Sequence, residues 1–296
     1  MMLNSLNPQP FIAALFLSLS LGTSLRAEEA VSDSTLFEIG GRNLRIPPPV
    51  GFVRCDGINE NWDTGLASIL PPTNRLLATY GSPEDQDLIR KSSPPDYSRN
   101  FNIQTVRSIE SREIGERTFA GLRNEVKKGI DGMRAKLDTE LKKLTDQSNK
   151  KMSADFGVNN ALEISDTVIL GYFEESDTSI GFTMVMKVGL GKGDNREVTH
   201  GVVACLMTPV NGRLVNLYSS ATYKGKDDQL LVEKTVMEWR DSIQAVNPKV
   251  EGPTAGFDSE QLGFMVGIGA GVGLFIGLFT LISKKMKGRK SDKMHS

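Results

Sequence analysis

The chain has 296 residues, 39% of them hydrophobic and 24% charged, a composition that excludes a disordered or fibrous protein and fits one sizeable globular core. Its net charge of −1 is unevenly placed: the last thirteen residues carry +5 and Arg26 adds +1, so Glu28–Ser283 stands at −7. An acidic body of this kind excludes nucleic acid as a partner, which needs clustered positive charge to replace condensed counterions.

The amino-terminal run Phe11–Leu21, FIAALFLSLSL, is apolar over signal-peptide length and too short to cross a bilayer. Small and polar residues follow, and Ala27 before Glu28-Glu29 meets the small-residue requirement of a cleavage site. Residues 1–27 are therefore expected to be a signal peptide, against the alternative of an amino-terminal helix that packs or stays embedded. Residues 28–248 form the exported domain, its first residues to about Leu36 read as a disordered lead.

Ile46-Pro47-Pro48-Pro49-Val50-Gly51-Phe52 is a stiff extended stretch, because proline fixes φ and keeps the preceding residue out of the helix. Asn59–Leu70 is expected to be a short helix ended by Pro71-Pro72, and Arg75–Tyr80 a strand stopped by Gly81-Ser82-Pro83. Asp85 and Asp87 suit a helix start, where acids meet the dipole. Asn100–Glu110 alternates in the manner of a strand.

From about Gly115 to Met152 the period changes. Leu122, Val126, Ile130, Met133, Leu137, Leu141 and Leu144 fall on one helical stripe flanked by charges of both signs. The longest soluble helix is expected here, its stripe turned either to the core or to an oligomer partner. Four strands follow, Ala161–Phe173, Ser179–Leu190, Glu197–Met207 and Arg213–Ala221, joined by short turn-rich segments, and then a helix over Asp227–Val246 ended by Asn247-Pro248. The order predicts an α+β fold, an antiparallel sheet packed by helices.

Two stretches, RIPPPVGF (Arg45–Phe52) and GRLVNLYSS…LLVEKTVMEWRDSIQ (Gly212–Gln244), resemble the PsbP/Mog1-like α/β/α families. In those families an extended Pro-Gly-Phe lead-in opens the domain, and a strand, an acidic turn and a helix close it. The resemblance implies a fold and no site residues; the long helix and the membrane anchor depart from the family pattern.

Residues 249–261 lack periodicity and read as a linker. Leu262–Ser283 is free of charge and, at about 1.5 Å per residue, spans roughly 33 Å, enough to cross the hydrocarbon core once. Lys284, Lys285, Lys287, Arg289 and Lys290 open a basic tail over 284–296 that belongs in the cytoplasm by the positive-inside rule. The protein is thus expected in the cell (inner) membrane with its amino-terminal domain in the periplasm or an equivalent exported space. Gly263, Gly267, Gly269, Gly271, Gly273 and Gly277 gather on one side of the span, a face that admits a homo-oligomer or another membrane protein at close range. The plainer account is that glycine is common in membrane helices.

Groupings that carry chemistry are scarce. His200 is the one histidine of the exported domain; it lies in an expected strand, and no G-x-S-x-G turn accompanies it. Cys55 and Cys205, the only cysteines, either pair in the oxidising exported space or leave Cys205 as a buried thiol. Asp56, Glu60 and Asp63 near Trp62 would suit a polar sugar-like site or an ordinary acidic surface, and Gly189–Asn195 is a glycine-rich turn without the P-loop signature. No catalytic, cofactor or metal residues are assigned. An interaction or scaffold module is favoured over a small-molecule binding module and over a carboxylate enzyme.

Overall fold

A computed structural model describes residues 34–253 apart from 94, 96–97, 135–138, 140–141, 144, 148, 151–161 and 191–196. The signal segment, the span 262–283 with its glycine face, and the basic tail lie outside the described residues. Among the described residues no helix is long and apolar enough to cross a membrane.

The first described elements form a hairpin, β1 (Thr35–Ile39) and β2 (Arg42–Ile46), so strand begins at Thr35, two residues inside the expected disordered lead, whose residues 28–33 lie outside the described residues. Gly40 and Gly41 turn it with φ of 52° and 79°, the left-handed pair that matches strand twist. Gly40 also packs against backbone: a Cβ there would sit 2.0 Å from the Glu110 carbonyl oxygen. Arg213 fixes this hairpin to the body, its Nε donating to the Ile39 carbonyl at 3.0 Å and its Nη2 to the Gly40 carbonyl at 2.6 Å.

β3 (Val53–Arg54), α1 (Glu60–Ile69), β4 (Asn74–Gly81), α2 (Pro83–Arg90) and β5 (Arg99–Val106) follow. Asn59 caps α1 by accepting from the Trp62 amide, and Ser82 with Asp85 forms a capping box on α2, so Asp85 is the helix-start acid its position implied. After a 3-10 turn over Arg107–Ile109 comes α3 (Glu116–Arg134), then β6 (Leu162–Glu175), β7 (Ile180–Leu190), β8 (Glu197–Val210), β9 (Arg213–Thr222) and α4 (Lys226–Val246). These four strands and α4 lie close to the bounds that alternation and turns set in the sequence.

Seven strands make one antiparallel sheet in the order β3-β4-β5-β9-β8-β7-β6. Alternation along β8 divides its side chains between two cores. Val202, Ala204 and Leu206 join Val232, Val236, Trp239 and Ile243 of α4. Val203, Cys205 and Met207 join Phe119, Leu122, Val126 and Ile130 of α3 on the other face. The result is an α/β/α sandwich, and the described part of the long amphipathic stripe faces the sheet. Leu137, Leu141 and Leu144 lie outside the described residues.

Candidate functional site

The Pro-rich stretch brings Phe52 against the start of β5. Phe52 meets Phe101 edge-on with centroids 4.7 Å apart, and Trp239 stands 5.6 Å from Phe101 and 5.4 Å from Tyr80. Trp239 is held in place by its indole N–H, which donates to the Pro47 carbonyl at 2.8 Å. Two arginines lie on this aromatic corner: Arg54 over Phe37 at 5.1 Å, and Arg99 over Phe52 at 5.2 Å and Phe101 at 6.0 Å.

Arg54 is neutralised. Its Nε and Nη2 both donate to Asp56, at 2.8 and 2.6 Å, which outweighs burial and holds the guanidinium above its ordinary value. Asp56 also accepts from the Thr79 amide at 2.7 Å, and Asp63 accepts from the Gly57 amide at 3.0 Å. Burial still pushes the Asp63 carboxyl above the usual range. These two acids thus hold the loop between β3 and α1 rather than opening a sugar-like cleft. Tyr80 is buried with its hydroxyl unbonded, and burial raises its ionisation well out of reach. Arg99 differs from Arg54: among the described residues no carboxylate reaches it, its Nε is buried without a partner, and burial lowers its proton affinity against the opposing pull of Glu238.

A second polar group lies on the α3 side of the sheet. Strand register aligns Thr79, Asn102, Tyr218 and Cys205 across β4, β5, β9 and β8. Asn74 Nδ2 donates to Gln104 at 2.9 Å, Gln104 Nε2 to Asn102 at 2.7 Å, and the Ser220 hydroxyl to Asn100 at 2.7 Å. The Asn102 Nδ2 and Thr79 Oγ1 atoms remain unbonded, each at a cost of about 1–3 kcal/mol.

The third feature is the exit from the domain. Asn247 ends α4 by donating to the Ile243 carbonyl at 2.8 Å, and its amide brackets β2 through Arg45. The chain then crosses the start of α3. The Glu116 and Arg117 amides donate to the Val250 and Glu251 carbonyls, both at 2.9 Å, and the Thr118 hydroxyl donates to the Pro253 carbonyl at 2.8 Å. These acceptors satisfy first-turn amides that an α-helix leaves open. Arg117 pairs with Glu251. Glu116, Asn211, Gln244, Asn247, Lys249 and Val250 line a shallow crevice beside this strap.

The cysteine alternatives resolve against a disulfide: Cys55 and Cys205 are not bonded to each other, and both are buried. Sheet order is the reason. The Cys55 amide bonds the Thr79 carbonyl of β4 at 2.8 Å, which places Cys55 on the β3 side of β4, and β8 lies four strand spacings from there. At about 4.8 Å per strand that is roughly 19 Å, well over twice the span of about 7 Å that a disulfide bridges. Burial raises the Cys205 thiol far above its ordinary value. His200 is exposed on β8 opposite Lys187, and no metal-binding group of His, Cys, Asp and Glu occurs among the described residues. Gly191–Asn195 lie outside the described residues.

No family model and no curated protein matches the chain. Among solved structures it is similar to a mutant of protein Mog1, with 12% identity over 74% of this chain and 96% of that one and a TM-score of 0.27. It is similar also to the Saccharomyces cerevisiae Ran-binding protein Mog1p, at 12% identity, the same coverage and a TM-score of 0.28. The resemblance to Mog1-like folds is weak and partial.

Proposed function

We propose that this is a single-pass membrane protein whose exported α/β/α domain serves as a non-enzymatic protein-interaction module. The observation that carries the reading is the strap. The last described residues are fastened to the first turn of α3 by three hydrogen bonds, so the chain leaves the sandwich at a defined point. Only residues 254–261 separate that point from the uncharged stretch 262–283. A short tether from a fixed exit holds a domain in one orientation near the membrane, which suits recognition of a neighbouring protein.

A second support lies on the α4 side of the outer strands. Val168 pairs with Val185, and Val198 and His200 follow on the same face of β8. Val168 and Val198 are exposed, as is Leu230 of α4, one turn before Glu233, which bonds Thr183 of β7. An exposed apolar flank of this kind belongs to interaction surfaces.

The glycine face is the reading's sharpest test. In-cell crosslinking of the full chain is compared for Gly267→Ile with Gly271→Ile and for Phe275→Ala with Phe279→Ala. The reading expects a crosslinked membrane partner or dimer that the glycine pair abolishes and the phenylalanine pair leaves. Equal behaviour of the two pairs would reduce the span to a tether, and a wild type that crosslinks to nothing would contradict the module itself.

A further inference from the structure

Among the described arginines that are buried or half-buried, Arg42, Arg54, Arg75, Arg123 and Arg240 each meet a carboxylate, and Arg213 spends its donors on backbone carbonyls. Arg99 is half-buried and meets neither. Its guanidinium carbon stands 5.2 Å from the Phe52 centroid and 6.0 Å from that of Phe101, so the protein has set a guanidinium in an aromatic corner and left its hydrogen-bonding fork unspent.

The surroundings define what the fork would receive. Arg99 pairs with Ala221 on β9, whose methyl group occupies little space beside it. Ser219, two residues before Ala221, has its hydroxyl 3.1 Å from that of Thr235 on α4. One helical turn earlier, about 6 Å back along α4, stands Leu231, and two residues along a strand cover about 6.7 Å. Leu231 therefore overlooks the Ala221–Arg99 row, and it is exposed, as is Val50 beside the Gly51-Phe52 turn. Among the described residues, the charge of Glu238 acts on Arg99 without an ion-pair contact.

We propose that Arg99, backed by Phe52 and Phe101, is the anchor point for a carboxylate of a partner polypeptide, an Asp or Glu side chain flanked by apolar residues. The proposal deepens the interaction-module reading and rests on it. A planar carboxylate accepts two parallel N–H donors from a guanidinium, and the exposed Leu231 and Val50 offer apolar neighbours a surface. A phosphate is the poorer match, because its second negative charge would face Glu238 with a single arginine to offset it.

The test uses the full chain in lipid nanodiscs with 15N-labelled arginine. The buried Arg99 Nε–H signal is assigned by its disappearance in Arg99→Lys. Acetyl-Leu-Glu-Leu-amide should shift that signal in a saturable way. Acetyl-Leu-Gln-Leu-amide should bind at least about tenfold more weakly, since a charge-assisted pair is replaced by a neutral one. Inorganic phosphate should leave the signal unmoved at matched ionic strength.

Arg99→Lys, with its thermal melt unchanged, should weaken the Glu peptide by about tenfold because the fork is lost while the charge remains, read on backbone amides of Ala221 and Leu231. Glu238→Gln should tighten it. Equal response to the Glu and Gln peptides, a response to phosphate alone, full binding by Arg99→Lys, or weaker binding by Glu238→Gln would each overturn the assignment. A partner crosslink that persists undiminished in Arg99→Lys would overturn it too while leaving the module reading intact.

Discussion

Gly115 sits where the strap crosses the start of α3, and the cost of adding one methyl group there follows from the structure. A Cβ would lie 2.2 Å from the Val250 carbonyl oxygen and 2.4 Å from the Glu251 carbon and Gly252 nitrogen, all backbone atoms with no rotamer to yield. Gly115→Ala therefore displaces the strap. Displacement breaks the bonds from the Glu116 and Arg117 amides and strains that from Thr118, each worth about 0.5–1.5 kcal/mol. The expected loss is about 2–4 kcal/mol, or about 5–15 °C in Tm for a domain of this size.

Gly121 supplies the control, within α3 and with nothing within 4 Å of an added Cβ. Gly121→Ala should stabilise by about 1 kcal/mol through helix propensity alone. Thermal unfolding of the full chain, followed by the fluorescence of buried Trp239, reads both, and limited proteolysis after Pro253 should accelerate in Gly115→Ala only. A Gly115→Ala protein as stable as wild type, or a destabilised Gly121→Ala, would refute the reasoning.

Trp239→Ala should cost about 3–5 kcal/mol in the same melt, since it empties the contact between Tyr80 and Phe101, whereas Trp239→Phe should lose mainly the bond to Pro47. Burial opposes ionisation of Glu174, but bonds from the Ser179 and Ser176 hydroxyls and the pull of Arg240 prevail and hold its carboxyl below the usual range. Its contribution is present above the unfolded carboxylate pKa of about 4.3 and is lost as pH falls through the lower folded value, so Glu174→Gln should flatten the acid side of the stability profile measured by denaturant titration. Non-reducing peptide mapping should find Cys55 and Cys205 unlinked, and a thiol reagent should modify Cys205 only on unfolding.

Where periodicity and turn chemistry act locally, the fold was legible. β6 to β9 and α4 declare themselves through alternation, Asn211-Gly212 between β8 and β9, and Asn247-Pro248 after α4. The β1–β2 hairpin carried a readable signal in Gly40-Gly41, obscured by five-residue strands too short to establish a period and interrupted by Glu38, Arg42 and Arg45. Sheet order was not legible, and it alone decides that Cys55 and Cys205 stay apart. The Arg99 corner was equally hidden, because Phe52, Arg99 and Leu231 are joined only by strand register and the path of α4. Gly115 gave no sign of its role, since the strap it admits lies more than 130 residues further along the chain.

The central claim is a domain outside and a tail inside, joined by one span. A reporter that works only in the cytoplasm, fused in separate experiments after Ser296 and after Glu251, tests it most directly. The account predicts activity after Ser296 and none after Glu251; activity after Glu251 and none after Ser296 would contradict it.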